Sequence, residues 1–215
     1  MNAVRDEVPR DAPRGAVWAF LPLSLLQAVR AHDRPGEILE DEDLTASLPR
    51  RLGLSDVIDR EIRNYERAAK RGRRVDSNDV TNLMRLVLRR PDAEAILRDT
   101  GRRVAAEYIR RVPGAWLRVA RALPTRASLA LARRGSRRLL RRMAGDDAVQ
   151  TTRRPSAVRV TSEVARTDAT STVCVLFAAA LEEMVRAYAG DQPRITQARC
   201  ATHGAPFCEW LIAEG

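Results

Sequence analysis

The sequence predicts an α+β protein in which a helical N-terminal two thirds packs on a small antiparallel sheet. Apolar residues recur at helical spacing through most of residues 17–144. After Gly145 the pattern changes to the alternation that is typical of half-buried strands, with one apolar helix between them. The chain has 215 residues, 45% of them hydrophobic, which suffices for one packed core. We therefore expect a flexible tail at residues 1–14 and a single domain at residues 15–215.

Six helices are predicted ahead of the first strand. Their expected bounds are 17–31, 52–70, from Asp76 or Ser77 to Pro91, from Pro91 or Asp92 to Arg111, 115–122 and 124–144. Ser55 is an N-cap candidate for the second helix, and Gly72 ends it. Residues 37–43 contain five acids and no base, which predicts a solvated loop or an acidic contact for the arginine-rich region.

The positive charge of the chain is concentrated in one region. The net charge is +10, and residues 101–142 contain 13 arginines and one acid, so the remainder is nearly neutral. Helical spacing places six arginines on one face of the helix predicted at 124–144: Arg133, Arg134, Arg137, Arg138, Arg141 and Arg142. The opposite face carries Leu129, Ala132, Leu139, Leu140 and Met143. Such a basic amphipathic helix suits an acidic protein partner, a nucleic acid or an anionic membrane surface.

The last third of the chain predicts a strand, a helix and a hairpin. Residues 157–164 alternate as a strand does, and Thr170 or Ser171 caps a helix that closes at Gly190. Residues 195–200 and 207–213 alternate again, and the six residues between them form a hairpin loop.

Three cysteines lie at positions from which they can meet. Cys200 and Cys208 flank the hairpin loop, and Cys174 lies at the start of the preceding helix. Zinc prefers four tetrahedral ligands drawn from sulfur, nitrogen and carboxylate oxygen, and His203 in the loop would complete such a set. The alternative is that the three cysteines pack as small hydrophobic residues in the core.

Several classes of function lack their motifs. The sequence contains neither GxGxxG nor GxxxxGK[ST], so no nucleotide cofactor is expected, and it lacks the Gly-x-Ser-x-Gly elbow of hydrolases. No catalytic residue is assigned. Nine aromatic residues are too few for a base-stacking platform, so nucleic acid is a minor alternative. Widely spaced cysteines, and an apolar run at 16–26 that is too short for a membrane span, favour a cytoplasmic protein.

The segment from Cys174 to Ile212 resembles the C-terminal signature of the 4-vinyl-reductase domain family. The likeness rests on Cys174, a helix ending at Gly190, the pattern Cys200-x3-Gly204-x3-Cys208 and an aromatic-aliphatic strand after it. The stretch GRRVAAEYIRRVPGAWLRVARALP at 101–124 is similar to the branch of the family linked to bacteriochlorophyll synthesis. Other members are sensory, hydrocarbon-binding domains of transcription activators.

This resemblance implies a fold akin to vesicle-transport-particle subunits and nitric-oxide-sensing haem domains, with a buried pocket for a small hydrophobic ligand. It implies a structural zinc ion on Cys174, Cys200 and Cys208, although the family's glutamate ligand corresponds to Gln197 here. The implied function is a carrier, accessory or sensor protein for a small hydrophobic molecule, such as a tetrapyrrole precursor of bacteriochlorophyll. A homodimer is implied by the sensory members. The alternative is a 4-vinyl reductase that acts on divinyl protochlorophyllide.

Candidate ligand-binding residues are aromatic side chains and arginines, because such pockets are mostly apolar with a few polar anchors. The aromatic candidates are Trp18, Phe20, Tyr108, Trp116 and Phe177. Each of them can equally fill the core. Arg103 and Arg110 are candidates for contact with the carboxylates of a tetrapyrrole.

Overall fold

The computed structural model describes residues 16–33, 55–153, 155–161, 164–166, 171–191 and 194–213. In these residues the helices are α1 (Phe20–His32), α2 (Ser55–Lys70), α3 (Ser77–Val87), α4 (Ala93–Arg110), α5 (Gly114–Ala122), α6 (Thr125–Ala144) and α7 (Val173–Ala189). The strands are β1 (Val17–Trp18), β2 (Arg74–Val75), β3 (Val149–Arg153), β4 (Ser156–Val160), β5 (Arg194–Arg199) and β6 (Cys208–Ala213). No helix in the described ranges combines the length and the apolar character that a membrane span needs. The predicted tail and the acidic segment at 37–43 lie outside these ranges.

The predicted α+β fold is confirmed. Strands β3, β4, β6 and β5 form, in that order, one antiparallel sheet, and β1 pairs with β2 in a separate short ribbon. The predicted hairpin is β5 and β6, in which Ile195 lies opposite Ile212. On its other side β6 pairs with β4, and Val160 lies opposite Cys208.

Strand β3 is absent from the sequence prediction. It pairs with β4 from Val149 opposite Val160 to Arg153 opposite Ser156. Only Val149 of its five residues is buried, because β3 lies at the edge of the sheet, so its apolar pattern is too weak to read. The strand predicted over 157–164 is also too long: β4 ends at Val160, and Val164–Arg166 form a turn of 3-10 helix.

The helix ends agree with the prediction in part. The Asp76 carboxylate accepts a hydrogen bond from the backbone N–H of Asn78 at 2.9 Å, which confirms the cap of α3. By contrast, α2 begins at Ser55 itself, so this residue opens the helix instead of preceding it. The prediction that Ser171 caps α7 is wrong, since Thr172 occupies the cap position and Ser171 adopts a left-handed φ of 64°. Thr170, the other candidate, is outside the described residues. Gly190 does end α7, as predicted.

Helix α7 lies at the centre of the fold. It packs against α4, α5 and α6 and against strand β5, and most of its side chains are buried. Its Phe177 meets Trp210 of β6 with ring centroids 5.9 Å apart, which joins the helical layer to the sheet. Helix α6 buries the apolar face that the sequence predicts and exposes Arg134, Arg137 and Arg138. The basic amphipathic helix is therefore confirmed.

Candidate metal centre

The three cysteines come from the N-terminus of α7 and from both ends of the hairpin loop. Cys174 is the second residue of α7, Cys200 directly follows β5 and Cys208 is the first residue of β6. The loop folds back because the backbone N–H groups of His203 and Ala205 both donate to the carbonyl oxygen of Cys200, at 3.1 and 3.3 Å. The antiparallel pairing of β5 with β6 then fixes the two ends of the loop beside the first turn of α7.

The sulfur atoms form a compact group. The Sγ atom of Cys174 lies 3.5 Å from that of Cys200 and 3.5 Å from that of Cys208, and all three lie within 4.8 Å of one another. A tetrahedral zinc ion with Zn–S bonds of about 2.3 Å separates its sulfur ligands by about 3.8 Å. The observed spacing is thus close to the edge of a thiolate tetrahedron, and it is far longer than the S–S bond of a disulfide. None of the three cysteines is in a disulfide.

The sulfur group is shielded from solvent. Cys174 and Cys208 are fully buried, and Cys200 is 7% exposed. The hydrogen bond with Cys208, together with burial, raises the pKa of the Cys174 thiol far above its usual range. Three thiolates this close in a buried place repel one another, so either protons or a cation must neutralise them. A divalent soft metal ion is the cation that suits sulfur ligands.

Two neighbours donate hydrogen bonds that suit thiolate sulfur. The backbone N–H of Ala201 donates to the Sγ atom of Cys208 at 3.4 Å. The hydroxyl of Thr202 lies 2.9 Å from the Sγ atom of Cys200 and can donate to it. Partners of this kind orient metal ligands and stabilise their charge. Thr202 was missed by the sequence analysis; its position two residues after a cysteine, in a tight turn, is the available signal.

The other two candidate ligands are not part of the sulfur group. His203 is exposed, and among the described residues no imidazole or carboxylate joins the three sulfur atoms. Gln197 is exposed on β5, and its side-chain amide donates to the carbonyl oxygen of Arg199 at 3.4 Å. The described part of the chain therefore offers three sulfur ligands for a metal ion, and no described residue is identified as the fourth ligand.

The comparisons with known proteins do not identify this group of cysteines. The chain matches no protein-family model, no curated protein and no solved structure. The likeness to the 4-vinyl-reductase domain family thus rests on the sequence patterns at 101–124 and 174–212 alone, and it stays a prediction.

Three of the candidate ligand-binding aromatics lie together. The rings of Trp18 and Phe20 have centroids 4.6 Å apart, and the guanidinium of Arg111 lies 4.8 Å from each centroid. The guanidinium of Arg142 bridges Trp18 and Tyr108, at 5.5 and 5.4 Å. Cation–π contacts hold both arginines over these rings. The sequence signal for Arg111 was its position three residues after Tyr108, directly after the end of α4.

The remaining candidates lie elsewhere. Phe177 is fully buried against Trp210, whereas Trp116 on α5 is 50% exposed. Arg103 forms an ion pair with Asp99 at 2.8 Å, and Arg110 forms one with Glu107, each within α4. The structure does not bring these two arginines to the cluster of Trp18, Phe20 and Tyr108. The arginines that lie over these rings are Arg111 and Arg142.

Proposed function

We propose that this chain is a binding domain for a small hydrophobic molecule, stabilised by a structural zinc ion on Cys174, Cys200 and Cys208. The single observation that carries the proposal is the 3.5 Å spacing of Cys174 Sγ from the other two sulfur atoms. A bound zinc ion supplies the charge that neutralises three thiolates and a cross-link between α7 and the hairpin. Burial and an all-sulfur set of protein ligands support a structural role over a catalytic one, because three thiolates weaken zinc as a Lewis acid.

The ligand side of the proposal rests on the cluster of Trp18, Phe20 and Tyr108. Flat aromatic rings beside two guanidinium groups match a ligand that is itself flat, apolar and anionic, which is the chemistry of a tetrapyrrole with carboxylate substituents. Arg111 and Arg142 already lie over the rings, so they would meet those carboxylates. This role replaces the one predicted for Arg103 and Arg110.

Metal analysis of the purified protein tests the proposed zinc site. We expect native mass spectrometry to give one zinc ion per chain, and substitution by cobalt to give the intense ultraviolet band of thiolate-to-cobalt charge transfer. A protein that binds neither metal, with all three thiols protected from a thiol reagent when folded and titratable after denaturation, would show that the cysteines serve only as core residues.

A porphyrin titration tests the proposed ligand site. Protoporphyrin with free carboxylates should bind the wild-type protein, and Arg111→Gln should weaken binding by about tenfold through loss of a charge-assisted contact. The matched control is Arg103→Gln, which removes an exposed arginine from α4, the helix that Arg111 follows, and should leave affinity unchanged. Equal losses for both variants, or tight binding of the porphyrin dimethyl ester, would contradict the assignment of Arg111.

A further inference from the structure

We propose that α5 docks on the surface of an anionic lipid bilayer, with its exposed apolar side chains in the headgroup region and the surrounding arginines on lipid phosphates. The α5 apolar face is defined by Ala115, Trp116, Val119, Ala122 and Leu123. All five residues are exposed, and Trp116, Val119 and Leu123 remain 50%, 52% and 38% accessible. Their spacing of three and four residues places them on one side of the helix.

The opposite side of α5 holds the helix on the protein. Ala120 is buried, Leu117 is half-buried, and α5 packs on α6 and α7. Arg121 donates from Nε to the carbonyl oxygen of Ala187 in α7 at 2.9 Å. The helix therefore packs Leu117 and Ala120 inward and still presents a second set of apolar side chains to solvent, where a surface helix usually carries polar residues.

The charge around this face is largely positive. Residues 108–145 contain eleven arginines and no acidic residue. Three of the exposed ones belong to or flank α5: Arg118, Arg121 and Arg126. Arg110 and Arg111, which precede α5, are ion-paired with Glu107 of α4. An apolar stripe with tryptophan, bordered by arginine, is the composition of helices that lie in the interface of anionic membranes.

Other occupants fit this surface less well. A second copy of the chain would bring two arginine-rich rims together, and like charges repel at such an interface. A nucleic acid would use the arginines but leave the Val119 and Leu123 side chains without apolar partners. Leu86 on α3 is also exposed, at 59%, but a single exposed apolar residue is ordinary on a protein surface.

Tryptophan emission gives a direct test with the full chain. Trp18 and Trp210 are 4% and 0% exposed, so a change in emission reports chiefly on Trp116. The protein is titrated with vesicles of phosphatidylcholine alone, and with vesicles in which about a third of the lipid is phosphatidylglycerol. We expect a blue shift, protection from aqueous acrylamide and co-sedimentation with the anionic vesicles only, all weakened by added salt.

Variants separate the contributions of the two kinds of residue. Val119→Ser with Leu123→Ser should weaken vesicle binding by about tenfold while leaving Trp116 as the reporter. Arg118→Gln should reduce binding to anionic vesicles and flatten its dependence on salt. The control is Leu86→Ser, which removes an exposed apolar side chain of the same kind elsewhere and should leave vesicle binding unchanged.

The results that would overturn the proposal are distinct. They are absence of binding to anionic vesicles, equal binding to both vesicle types, and a loss in Leu86→Ser as large as that in the α5 variants. Binding of duplex DNA without vesicle binding would assign the arginines to nucleic acid and refute the lipid surface. A dimer that the α5 substitutions dissociate, again without vesicle binding, would assign the α5 apolar face to a second copy.

Discussion

Gly101 packs against the carbonyl oxygen of Leu176 so closely that no side chain fits between α4 and α7. A Cβ atom at Gly101 would overlap that oxygen and would lie 3.0 Å from the Cβ of Ala179 and 3.1 Å from the backbone nitrogen of Ala180. The contacted atoms belong largely to the backbone, so they cannot turn aside. Cys174 lies two residues before Leu176, so this crossing also sets where the first turn of α7 meets the hairpin.

Gly101→Ala is expected to destabilise the protein by about 3 kcal/mol, because the two helices must separate to admit a methyl group. The matched control is Gly114→Ala, at the start of α5, where nothing lies within 4 Å of the added Cβ. That substitution should be neutral or slightly stabilising, since alanine is the better helix former. Urea unfolding at equilibrium measures both. Equal midpoints for the two variants would contradict the close packing.

Cys208→Ser should lower the affinity for zinc by more than about a hundredfold, since even partners outside the ligand set contribute ten- to a hundredfold. It should also remove the extra thermal stability that zinc confers on the wild type, because the metal links α7 to the hairpin. Metal content and melting temperature, each with and without a chelator, give the two readouts. His203→Ala is the control and should keep its zinc, as His203 is exposed and outside the sulfur group. Loss of zinc from His203→Ala would make the histidine the fourth ligand.

Binding of zinc should release protons, up to one from each of the three thiols. The raised pKa of Cys174 means that the metal-free protein keeps this proton at neutral pH, and the metal must displace it. Because protons compete with the metal, the affinity should rise as pH rises and fall as pH falls. Calorimetry in buffers of different ionisation enthalpy counts the protons. Heats that do not depend on the buffer would show that the cysteines are not the ligands.

Glu209→Ala should destabilise the sheet by about 2 to 3 kcal/mol. The buried Glu209 carboxylate accepts a hydrogen bond from Arg159 at 2.6 Å and lies 3.7 Å from Arg199, so its loss leaves two cations facing each other. Arg199→Ala is the control. This side chain is 58% exposed and lies 3.7 Å from Glu209 and 5.7 Å from the centre of the Phe207 ring, so its removal should cost less than about 1 kcal/mol. Thermal melts of both variants measure these losses of stability. Similar losses would mean that the Glu209 carboxylate contributes no more to stability than an exposed ion pair does.

The periodicity of the sequence predicted the helices and the hairpin because each buries a continuous apolar face. Strand β3 was not predicted, because it buries only Val149 and is held by backbone pairing with β4. Pairing across an edge leaves no trace in the apolar pattern. The three cysteines could be expected to meet because a closed hairpin joins two of them. The direction of His203 could not be expected, since it depends on the turn at Ala201–His203 and on the left-handed Gly204.

The cluster of Trp18, Phe20 and Tyr108 likewise could not be predicted from the local sequence pattern. Trp18 and Phe20 lie far along the chain from Tyr108, and the packing of α1 on α4 and of β1 on α6 brings the rings together. Nothing in the local pattern distinguishes Arg111 from Arg110. Both side chains form ion pairs with Glu107, and Arg111 lies in addition over the rings of Trp18 and Phe20.

Strand β5 forms one end of the four-stranded sheet, and its outward features oppose the addition of a strand from another molecule. Its pairing with β6 is interrupted by an irregularity between Gln197 and Arg199, and arginines stand at both of its ends. Irregular, charged edges of this kind are how natural sheets avoid edge-to-edge aggregation. The chain is thus protected against fibril-like stacking on the same strand that leads into Cys200.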